Sequence, residues 1–274
     1  MMVGTLTPIQ YTEHRHSRRH LPLARALLLS LAIAGLGWRF GALTGPGVLA
    51  ASLVGSAVLV GTGWPGLWAL GVFFAGSSAI SRLAPDRTWD LDAKGGRRDP
   101  WQVLANGAAA AVGALVPGAG LWIVTASLAA AAADTWATAT GGWSRALPRH
   151  IVTGCPVPAG TSGGVTLIGS AGALVGAAGV GLAAAVAGRR WALFALALGV
   201  GMLGMLADSV IGALVQGRFH CDSCGLATER RVHRCGRPAR PVGGLSWLSN
   251  DAVNALATLG AAAAGFAAWH RWGT

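Results

Sequence analysis

The sequence predicts an all-α integral membrane protein, a polytopic bundle of about seven or eight helical spans. Hydrophobic residues make up 53% of the 274 residues and charged residues only 11%, whereas about a quarter of the residues in an average soluble domain are charged. Apolar runs of roughly 17 to 25 residues, long enough to cross a bilayer as helices, recur along the chain. We predict spans at 21–38, 47–63, 66–82, 101–117, 119–137, 164–187, 191–216 and 250–269.

The N-terminal part of the chain divides into a polar tail and the first spans. Residues 1–20 are rich in His and Arg and are predicted to be a disordered basic tail, followed by a single helical membrane domain over 21–274. No clear small-residue cleavage site follows the first apolar segment, so we predict a retained helix and no cleaved signal peptide. The second and third spans are short and glycine-rich, which leaves open whether one of them is re-entrant.

Basic residues predict the orientation of the bundle. The net charge is +11, and 13 of the 21 Lys and Arg lie in the loops 82–100, 138–163 and 217–249. Basic loops stay on the cytoplasmic side, so we predict a multi-pass protein of the cell membrane with these loops in the cytoplasm, and no nucleic-acid partner. If three full spans follow the basic tail, the tail lies outside the cell, which conflicts with the rule that basic segments stay in the cytoplasm. A re-entrant second segment would place the tail in the cytoplasm and remove this conflict.

Two carboxylates stand near the ends of apolar segments. Asp134-Thr135 and Asp208-Ser209 each follow an alanine, so the two units echo one another. A carboxylate at the end of a membrane helix is costly unless it is paired or metal-bound. Two of them at one depth repel unless a cation lies between them, and Mg²⁺ takes one or two protein carboxylates plus substrate phosphates. We therefore predict a Mg²⁺ site at Asp134 and Asp208, the alternative being neutral or arginine-paired carboxylates.

The segment after Asp134 is a loop dense in glycine, threonine, proline and arginine. Glycine-rich backbone with hydroxyl and arginine side chains suits a phosphate ester or its metal complex. The predicted phosphate-binding residues of this loop are Arg149, Thr153, Gly160, Thr161, Ser162, Gly163 and Gly164.

A polar stripe enters the membrane after the loop 82–100. If a helix starts near Asp99, then Asp99, Gln102 and Asn106 fall on one of its faces. We predict that this face, with Arg97 and Arg98, binds the substrate. The alternative is an N-cap at Asp99 followed by amide hydrogen bonds between helices.

The last apolar helix opens with a second polar face, formed by Asn250, Asp251 and Asn254. Asn254 lies four positions after Asn250 and three positions after Asp251, so both of these residues share one side of a helix with it. An N-cap at Asn250 explains one of the three. We predict that the others join the cluster of Asp134 and Asp208.

Three of the four cysteines lie in the loop 217–249. Cys221 and Cys224 form a Cys-x-x-Cys pair, and His233 and Cys235 follow after a short interval. Thiolates and imidazole suit tetrahedral Zn²⁺. The interpretations for this loop are a zinc site, a set of reduced cytoplasmic thiols, or a group formed by Glu229 and six arginines that holds a phosphate ligand.

Ordered motifs along nearly the whole chain resemble the integral membrane family called domain of unknown function 92, which includes the animal transmembrane protein 19 and the phytyl-phosphate kinase of plant vitamin E synthesis. The motifs that carry the resemblance are Gly41-Ala-Leu-Thr44, Arg97-Arg-Asp99 with Gln102-Val-Leu-Ala-Asn106, Asp134-Thr-Trp-Ala137, Thr153-Gly154 with Pro156-Val-Pro158, Gly160-Thr-Ser-Gly-Gly-Val165, Ala207-Asp-Ser209 and Asn250-Asp-Ala-Val-Asn254. Cys155 stands where the family usually has a basic residue. The cysteine and histidine group looks like a feature of only some members.

The resemblance implies a kinase that transfers a phosphoryl group from a nucleoside triphosphate to an isoprenoid monophosphate. Asp134-x-x-Ala137 is also similar to a unit of membrane lipid kinases and synthases that use cytidine nucleotides, so CTP is one candidate donor. In this interpretation Asp134, Asp208 and Asp251 hold the metal–nucleotide complex, with Thr135 and Ser209 beside them. The alternative is a transporter or lipid flippase that uses the same carboxylates.

Overall fold

The computed structural model describes residues 22–85 and 96–273, and the helical class agrees with the prediction. The predicted tail 1–20 and part of the loop 82–100 lie outside the described residues. The helices within the described ranges are α1 (Leu23–Arg39), α2 (Gly45–Leu83), α3 (Pro100–Ala114), α4 (Gly120–Gly141), α5 (Leu167–Gly188), α6 (Ala192–Val215) and α7 (Asn250–Trp272). The strands there are β1 (Arg149–His150), β2 (Gly164–Val165), β3 (Arg218–Cys221), β4 (Leu226–Thr228) and β5 (Arg240–Gly243).

Helix α2 folds back on itself at Gly63. This glycine has φ 67° and ψ −153°, and Pro65 follows it. A straight helix of 39 residues would be about 58 Å long, yet Arg98 reaches both of its ends. The Arg98 carbonyl packs against Gly47, and its Nη1 donates to Ser78 Oγ at 3.2 Å. The predicted second and third spans are therefore two antiparallel halves of one element.

Helix α4 is the centre of the bundle and packs against α2, α3, α5, α6 and α7. Its middle is an almost continuous run of buried alanines. Gly172 of α5 packs against Thr140, and Gly204 of α6 packs against Ala130. Small residues let helix backbones approach closely in a membrane. The tight packing around α4 holds its polar C-terminal part, which begins at Asp134, in a defined place.

Four of the described helices, α2, α5, α6 and α7, are long and apolar enough by themselves to cross a membrane. Helices α1 and α3 have 17 and 15 residues. Many of the leucines and tryptophans on the outside of the bundle are exposed, as lipid-facing side chains are. The protein is a helical integral membrane protein, and helix length alone does not set its number of spans.

The turns of the bundle lie at two ends. At one end, Gly118 between α3 and α4 packs against Trp269 near the end of α7. Arg190 between α5 and α6 donates to the Gly273 carbonyl at 3.2 Å. The connections between α4 and α5 and between α6 and α7, and the described parts of the connection between α2 and α3, lie at the other end, where they meet around the cavity described below. The pairs α3–α4 and α5–α6 are therefore hairpins.

The connections contain strands that an all-α class did not predict. Strands β1 and β2 pair antiparallel, and β3 is the central strand of a three-stranded antiparallel sheet with β4 and β5. The pairing shifts the start of α5 from the predicted 164 to Leu167, after the N-cap Thr166. These loops are long enough to double back, and their backbone groups then find partners in each other.

Helix caps differ in part from the predictions. Asp99 forms a capping box with Gln102 at the start of α3, which is the structural alternative considered for this residue. Ser249, not Asn250, caps α7 by accepting from the Ala252 N–H at 3.4 Å. Because the hydroxyl of Ser249 fills that role, the Asn250 side chain is left for the cavity.

Candidate functional site

One cavity of about 500 Å³ lies at the loop end of the bundle. Its volume falls in the range of about 300 to 1,000 Å³ that is typical of small-molecule sites. Its walls come from α2 to α7 and from the connections over them. The predicted site residues that line it are Arg98, Gln102, Asn106, Asp134, Thr135, Gly160, Thr161, Ser162, Gly163, Gly164, Asp208, Ser209, Asn250, Asp251 and Asn254.

Two carboxylates stand at matching positions in the cavity wall. Asp134 and Asp208 each lie seven residues before the last residue of their helices, α4 and α6. At 1.5 Å per residue, this is about 10 Å below the helix ends. Both aspartates follow an alanine and precede a hydroxyl residue, as noted in the sequence. Because they lie at the same distance from their helix ends, two segments that are distant in sequence contribute to one cavity.

Asp208 is the most constrained carboxylate of the site. Its side chain is only 8% exposed, and its Oδ2 has no hydrogen-bond partner among the described residues. It interacts electrostatically with Asp134 and with Glu229. A buried carboxylate oxygen that has no hydrogen-bond partner and lies near two further carboxylates would be stabilised by a bound cation. Carboxylate oxygens are the ligands that Mg²⁺ prefers, so the residues present fit a divalent cation.

The glycine loop, residues 160–164, is held against α6. Gly163 has φ +78°, and a side chain there would collide with Ala213 and lie 2.9 Å from the Ser209 carbonyl. Its carbonyl accepts from the Ile151 N–H at 2.8 Å, which ties the loop to the β1 strand. Only glycine combines this backbone conformation with such close contact. The loop therefore lies next to the α6 turn that carries Asp208.

Glu229 closes the cavity from the loop 217–249. Its carboxylate accepts hydrogen bonds from the Ser162 hydroxyl and from Gln216 Nε2 at 2.6 Å. Glu229, Gln216 and Arg234 all line the cavity. The sequence offered Glu229 and the arginines of its loop only as an alternative phosphate-binding group, and it predicted no role for Gln216. The available signal was one glutamate in a loop with six arginines. Their placement depends on how that loop folds, which no local pattern indicates.

Arg98 supplies a half-buried cation to the cavity. Its guanidinium lies 5.6 Å from the ring centroids of both Phe73 and Phe74. Burial, with a smaller effect of Arg82, lowers the pKa of Arg98 to about 10, so it remains charged at neutral pH. Its backbone N–H and carbonyl bind Ala42 and Thr44, each at 3.0 Å. The side chain is thus fixed at the cavity wall with its charge retained.

The polar residues at the start of α3 have two different roles, because one caps the helix and the others line the cavity. Asp99 accepts from the Gln102 N–H at 2.9 Å, and Gln102 Oε1 accepts from the Asp99 N–H at 3.1 Å. Asn106 Nδ2 donates to the Gln102 carbonyl at 2.9 Å and lines the cavity. Asp99 therefore acts as a helix cap, while Gln102 and Asn106 face the cavity.

Four predicted site residues do not line the cavity: Arg97, Asp99, Arg149 and Thr153. Arg149 donates from Nη1 to the Gly154 carbonyl at 2.9 Å, and Thr153 Oγ1 pairs with His150 Nδ1 at 3.4 Å. Both contacts close the turn after β1, so these side chains stabilise their own loop. The sequence predicted the composition of this loop but not which way its side chains turn.

The cysteine and histidine group comes together outside the cavity. Cys221, Cys224, His233 and Cys235 each offer a ligand atom, and these atoms all lie within 4.8 Å of one another. A hydrogen bond with His233 lowers the pKa of the Cys235 thiol to about 6. The hydrogen bond with Cys235 raises the pKa of the Cys224 thiol to about 11.

Comparison with known families decides where the chain belongs. The model of the family described as integral membrane protein DUF92 matches residues 28–262. The chain belongs to the DUF92 family. That match includes every residue of the cavity wall, from Ala42 to Asn254, so the cavity lies wholly within the DUF92 region.

Curated proteins with similar sequences include a plant and an archaeal protein. The chain is 30% identical over 222 residues to Protein PGR of Arabidopsis thaliana, covering 69% of this chain and 76% of the plant protein. It is 30% identical over 174 residues to an uncharacterized membrane protein of Methanocaldococcus jannaschii, covering 62% of this chain and 73% of the archaeal protein. No solved structure matches the chain. The DUF92 assignment therefore rests on sequence.

Proposed function

We propose that this DUF92 protein is a Mg²⁺-dependent prenyl-phosphate kinase that works at the membrane surface. The observation that carries the proposal is Asp208, a buried carboxylate with an unpartnered oxygen in a cavity. The same cavity contains Asp134, the glycine loop and two arginines, Arg98 and Arg234. This combination suits a metal-bound polyphosphate, and the resemblance to phytyl-phosphate kinase supports an isoprenoid acceptor.

The reaction moves one phosphoryl group between two anions. An oxygen of the prenyl phosphate attacks the γ-phosphorus of the nucleotide, the bond from that phosphorus to the β,γ-bridging oxygen breaks, and a nucleoside diphosphate leaves. The products are a prenyl diphosphate and the nucleoside diphosphate. The acceptor is already an anion, so the protein needs no strong general base. Phosphoryl transfer asks a protein mainly to align the two phosphates and to neutralise their charge.

Each wall of the cavity suits one part of this task. Asp134 and Asp208 would hold Mg²⁺, which supplies charge neutralisation on the nucleotide when bound. The backbone of the glycine loop, together with Arg234, binds nucleotide phosphates. Arg98 and Asn106, on the α3 side, orient the acceptor phosphate. The N-terminus of α5, with its cap Thr166 in the wall, adds a favourable dipole for anions.

For topology we propose eight membrane-crossing segments, with α2 counted as two, and the cavity on the cytoplasmic side. The loops over the cavity carry most of the described arginines, whereas the opposite end carries Arg25, Arg189, Arg190 and Arg271. This distribution follows the positive-inside rule. Helix α1 ends at the cavity side, where Phe40 accepts from Arg82 at 2.6 Å. The first residue of α1 is therefore at the opposite, outer end. The basic residues that precede it in the sequence remain an exception to the positive-inside rule.

The depth of the carboxylates favours an enzyme over a transporter. Transporters of small ions and lipids place their sites near the middle of the bilayer. Here both aspartates lie only about 10 Å below the ends of their helices, and the loops that line the cavity cover them. A lipid substrate with its phosphate at the interface reaches that depth while its chain stays in the membrane.

The test is turnover by the purified protein in nanodiscs with prenyl phosphate, Mg²⁺ and either ATP or CTP. We expect equal amounts of prenyl diphosphate and nucleoside diphosphate, and a loss of more than about 100-fold in the D208N variant. The D222N variant is the matched control, because Asp222 is 67% exposed and pairs with Arg240. Movement of labelled prenyl phosphate across proteoliposomes without nucleotide turnover would instead identify a transporter.

A further inference from the structure

The loop 217–249 has the features of a metal-stabilised module. Its three strands have four, three and four residues, and most of its side chains are exposed. Its buried side chains are Phe219, Cys221, Thr228, His233 and Leu248. A segment with so small a core is expected to need an additional cross-link or a metal for stability. Two of its buried residues, Cys221 and His233, are potential metal ligands.

We propose that Cys221, Cys224, His233 and Cys235 bind one structural Zn²⁺ ion, which holds Glu229 and Arg234 at the mouth of the cavity. The four ligand atoms all lie within 4.8 Å of one another. The Cys221 and Cys235 sulfurs are 3.7 Å apart. Two thiolates bound to tetrahedral zinc at about 2.3 Å are separated by about 3.8 Å. The donor set of three thiols and one imidazole is one that structural zinc sites use.

The backbone presents these ligands on two similar turns. Cys221 ends β3, and the N–H groups of Cys224 and Gly225 return to its carbonyl at 3.2 and 2.8 Å. In the second turn, the Gly236 N–H returns to the His233 carbonyl at 2.9 Å. A glycine with positive φ follows the second ligand of each turn, Gly225 at 68° and Gly236 at 79°. Both turns therefore direct their pair of ligands to one point.

His233 supplies the imidazole of the cluster. It is 7% exposed, and its Nδ1 lies 3.2 Å from the Cys235 sulfur. This distance is close to the ligand-to-ligand separation in a tetrahedral zinc site, so Nδ1 is the nitrogen placed to bind the ion. All four cysteines are free thiols, so no disulfide replaces the metal. A cluster this compact has space for one ion between the ligands.

The metal cluster is joined to the cavity by residues inside it. Glu229 lies between Cys224 and His233 in the chain, directly after β4, and accepts from Ser162 of the glycine loop. Arg234 lies between the ligands His233 and Cys235 and lines the cavity. Fixing the four ligands therefore fixes both ends of the segment that carries Glu229 and Arg234. This second part of the inference rests on the proposed function of the cavity, whereas the metal site does not.

The metal site is tested by metal analysis of the full chain purified in detergent without chelator. We expect about one zinc per chain and, after exchange, the thiolate-to-metal charge-transfer absorption of bound Co²⁺. The C224S variant should lose both signals, whereas C155S should keep them, because Cys155 is exposed and lies in a different loop. Wild-type protein with no zinc and no Co²⁺ spectrum would overturn the site, and stoichiometric iron would overturn its assignment to zinc.

The link to the cavity is tested by limited trypsin digestion, which needs no assay of activity. The segment carries exposed arginines at 231 and 234, neither of which is followed by proline, so chelator should accelerate cleavage after them by about tenfold or more and added Zn²⁺ should reverse it. Cleavage after Arg189 and Arg190, at the opposite end of the bundle, serves as the control. If zinc binds but cleavage after Arg231 and Arg234 is unchanged by chelator, the ion does not order the segment and the link is wrong.

Discussion

The Ser162 hydroxyl donates a hydrogen bond to the carboxylate of Glu229, which lies 67 positions later in the chain. Gln216, at the end of α6, donates to the other oxygen of the same carboxylate at 2.6 Å. Glu229 therefore joins three segments: the glycine loop, the end of α6 and the loop that carries the cysteines. The two hydrogen bonds therefore bring separate polar motifs of the sequence together in one site.

Replacing Glu229 by Gln tests this junction. The amide keeps the size of the side chain but accepts with only one oxygen, so either Ser162 or Gln216 loses its acceptor. A charge-assisted hydrogen bond contributes about 1.5 to 3 kcal/mol, and we expect E229Q to raise KM for the nucleotide about tenfold. Initial rates over a range of nucleotide concentrations measure it. An unchanged KM would mean that the junction does not position the glycine loop.

Gly163 should not tolerate a side chain. Alanine there would collide with Ala213 in a backbone conformation that side chains rarely adopt, which costs about 1 to 3 kcal/mol. We expect G163A to lower the thermal midpoint and to weaken nucleotide binding. G154A is the matched control, because Gly154 also has positive φ, 70°, but nothing lies within 4 Å of the added carbon. Equal effects of the two variants would assign the cost to backbone strain alone.

Arg98 should contribute to function at the expense of stability. Burial lowers the pKa of Arg98 to about 10, which corresponds to a cost on the order of 3 kcal/mol for holding the charge in the fold. We expect R98M to unfold at the same or a higher temperature than the wild type while its turnover falls more than about 100-fold. A variant that is both unstable and inactive would instead indicate a structural role.

The pH dependence of that stability difference has a defined sign. Arg98 is charged in both the folded and the unfolded chain below about pH 10, so its cost is fully present there and is relieved only as the pH rises above about 10. The difference between the thermal midpoints of wild type and R98M should therefore be constant from about pH 6 to about pH 9. A difference that changes across this interval would point to another titrating group.

The proposed orientation is tested by cysteine accessibility. Cys155 is exposed in the connection between α4 and α5, at the cavity end. A membrane-impermeant thiol reagent should label it in inside-out vesicles but not in intact cells. A cysteine placed at Arg190, at the opposite end, should show the reverse. Labelling of Cys155 from outside intact cells would invert the topology.

The helices and the acidic and amide residues of the site were predictable because they follow local rules. Apolar length predicted the segments, including the break between the halves of α2 near Gly63. Asp134, Asp208 and Asn254 stand out because a carboxylate or amide within apolar sequence demands a partner. Convergence then followed from helix pairing, which placed the longer loops at one end of the bundle.

The loops were less predictable, because their side-chain directions depend on contacts between distant segments. Arg149 has the composition expected of a phosphate-binding loop, yet it turns to the Gly154 carbonyl. Gln216 and Glu229 reach the cavity only because the loop 217–249 folds over the glycine loop. The position of Asp99 in the sequence fits a helix cap and a site residue equally well. The capping box with Gln102 identifies it as a helix cap.

The central claim is that Asp208 holds a metal–nucleotide complex in the cavity, and binding of Mn²⁺ with a non-hydrolysable nucleotide tests it most directly. Paramagnetic resonance should detect one Mn²⁺ per wild-type chain only when nucleotide is present. D208N should weaken that binding at least about 100-fold, as expected for the loss of a carboxylate ligand, and D222N should leave it unchanged. Equal Mn²⁺–nucleotide affinity in wild type and D208N would contradict the claim.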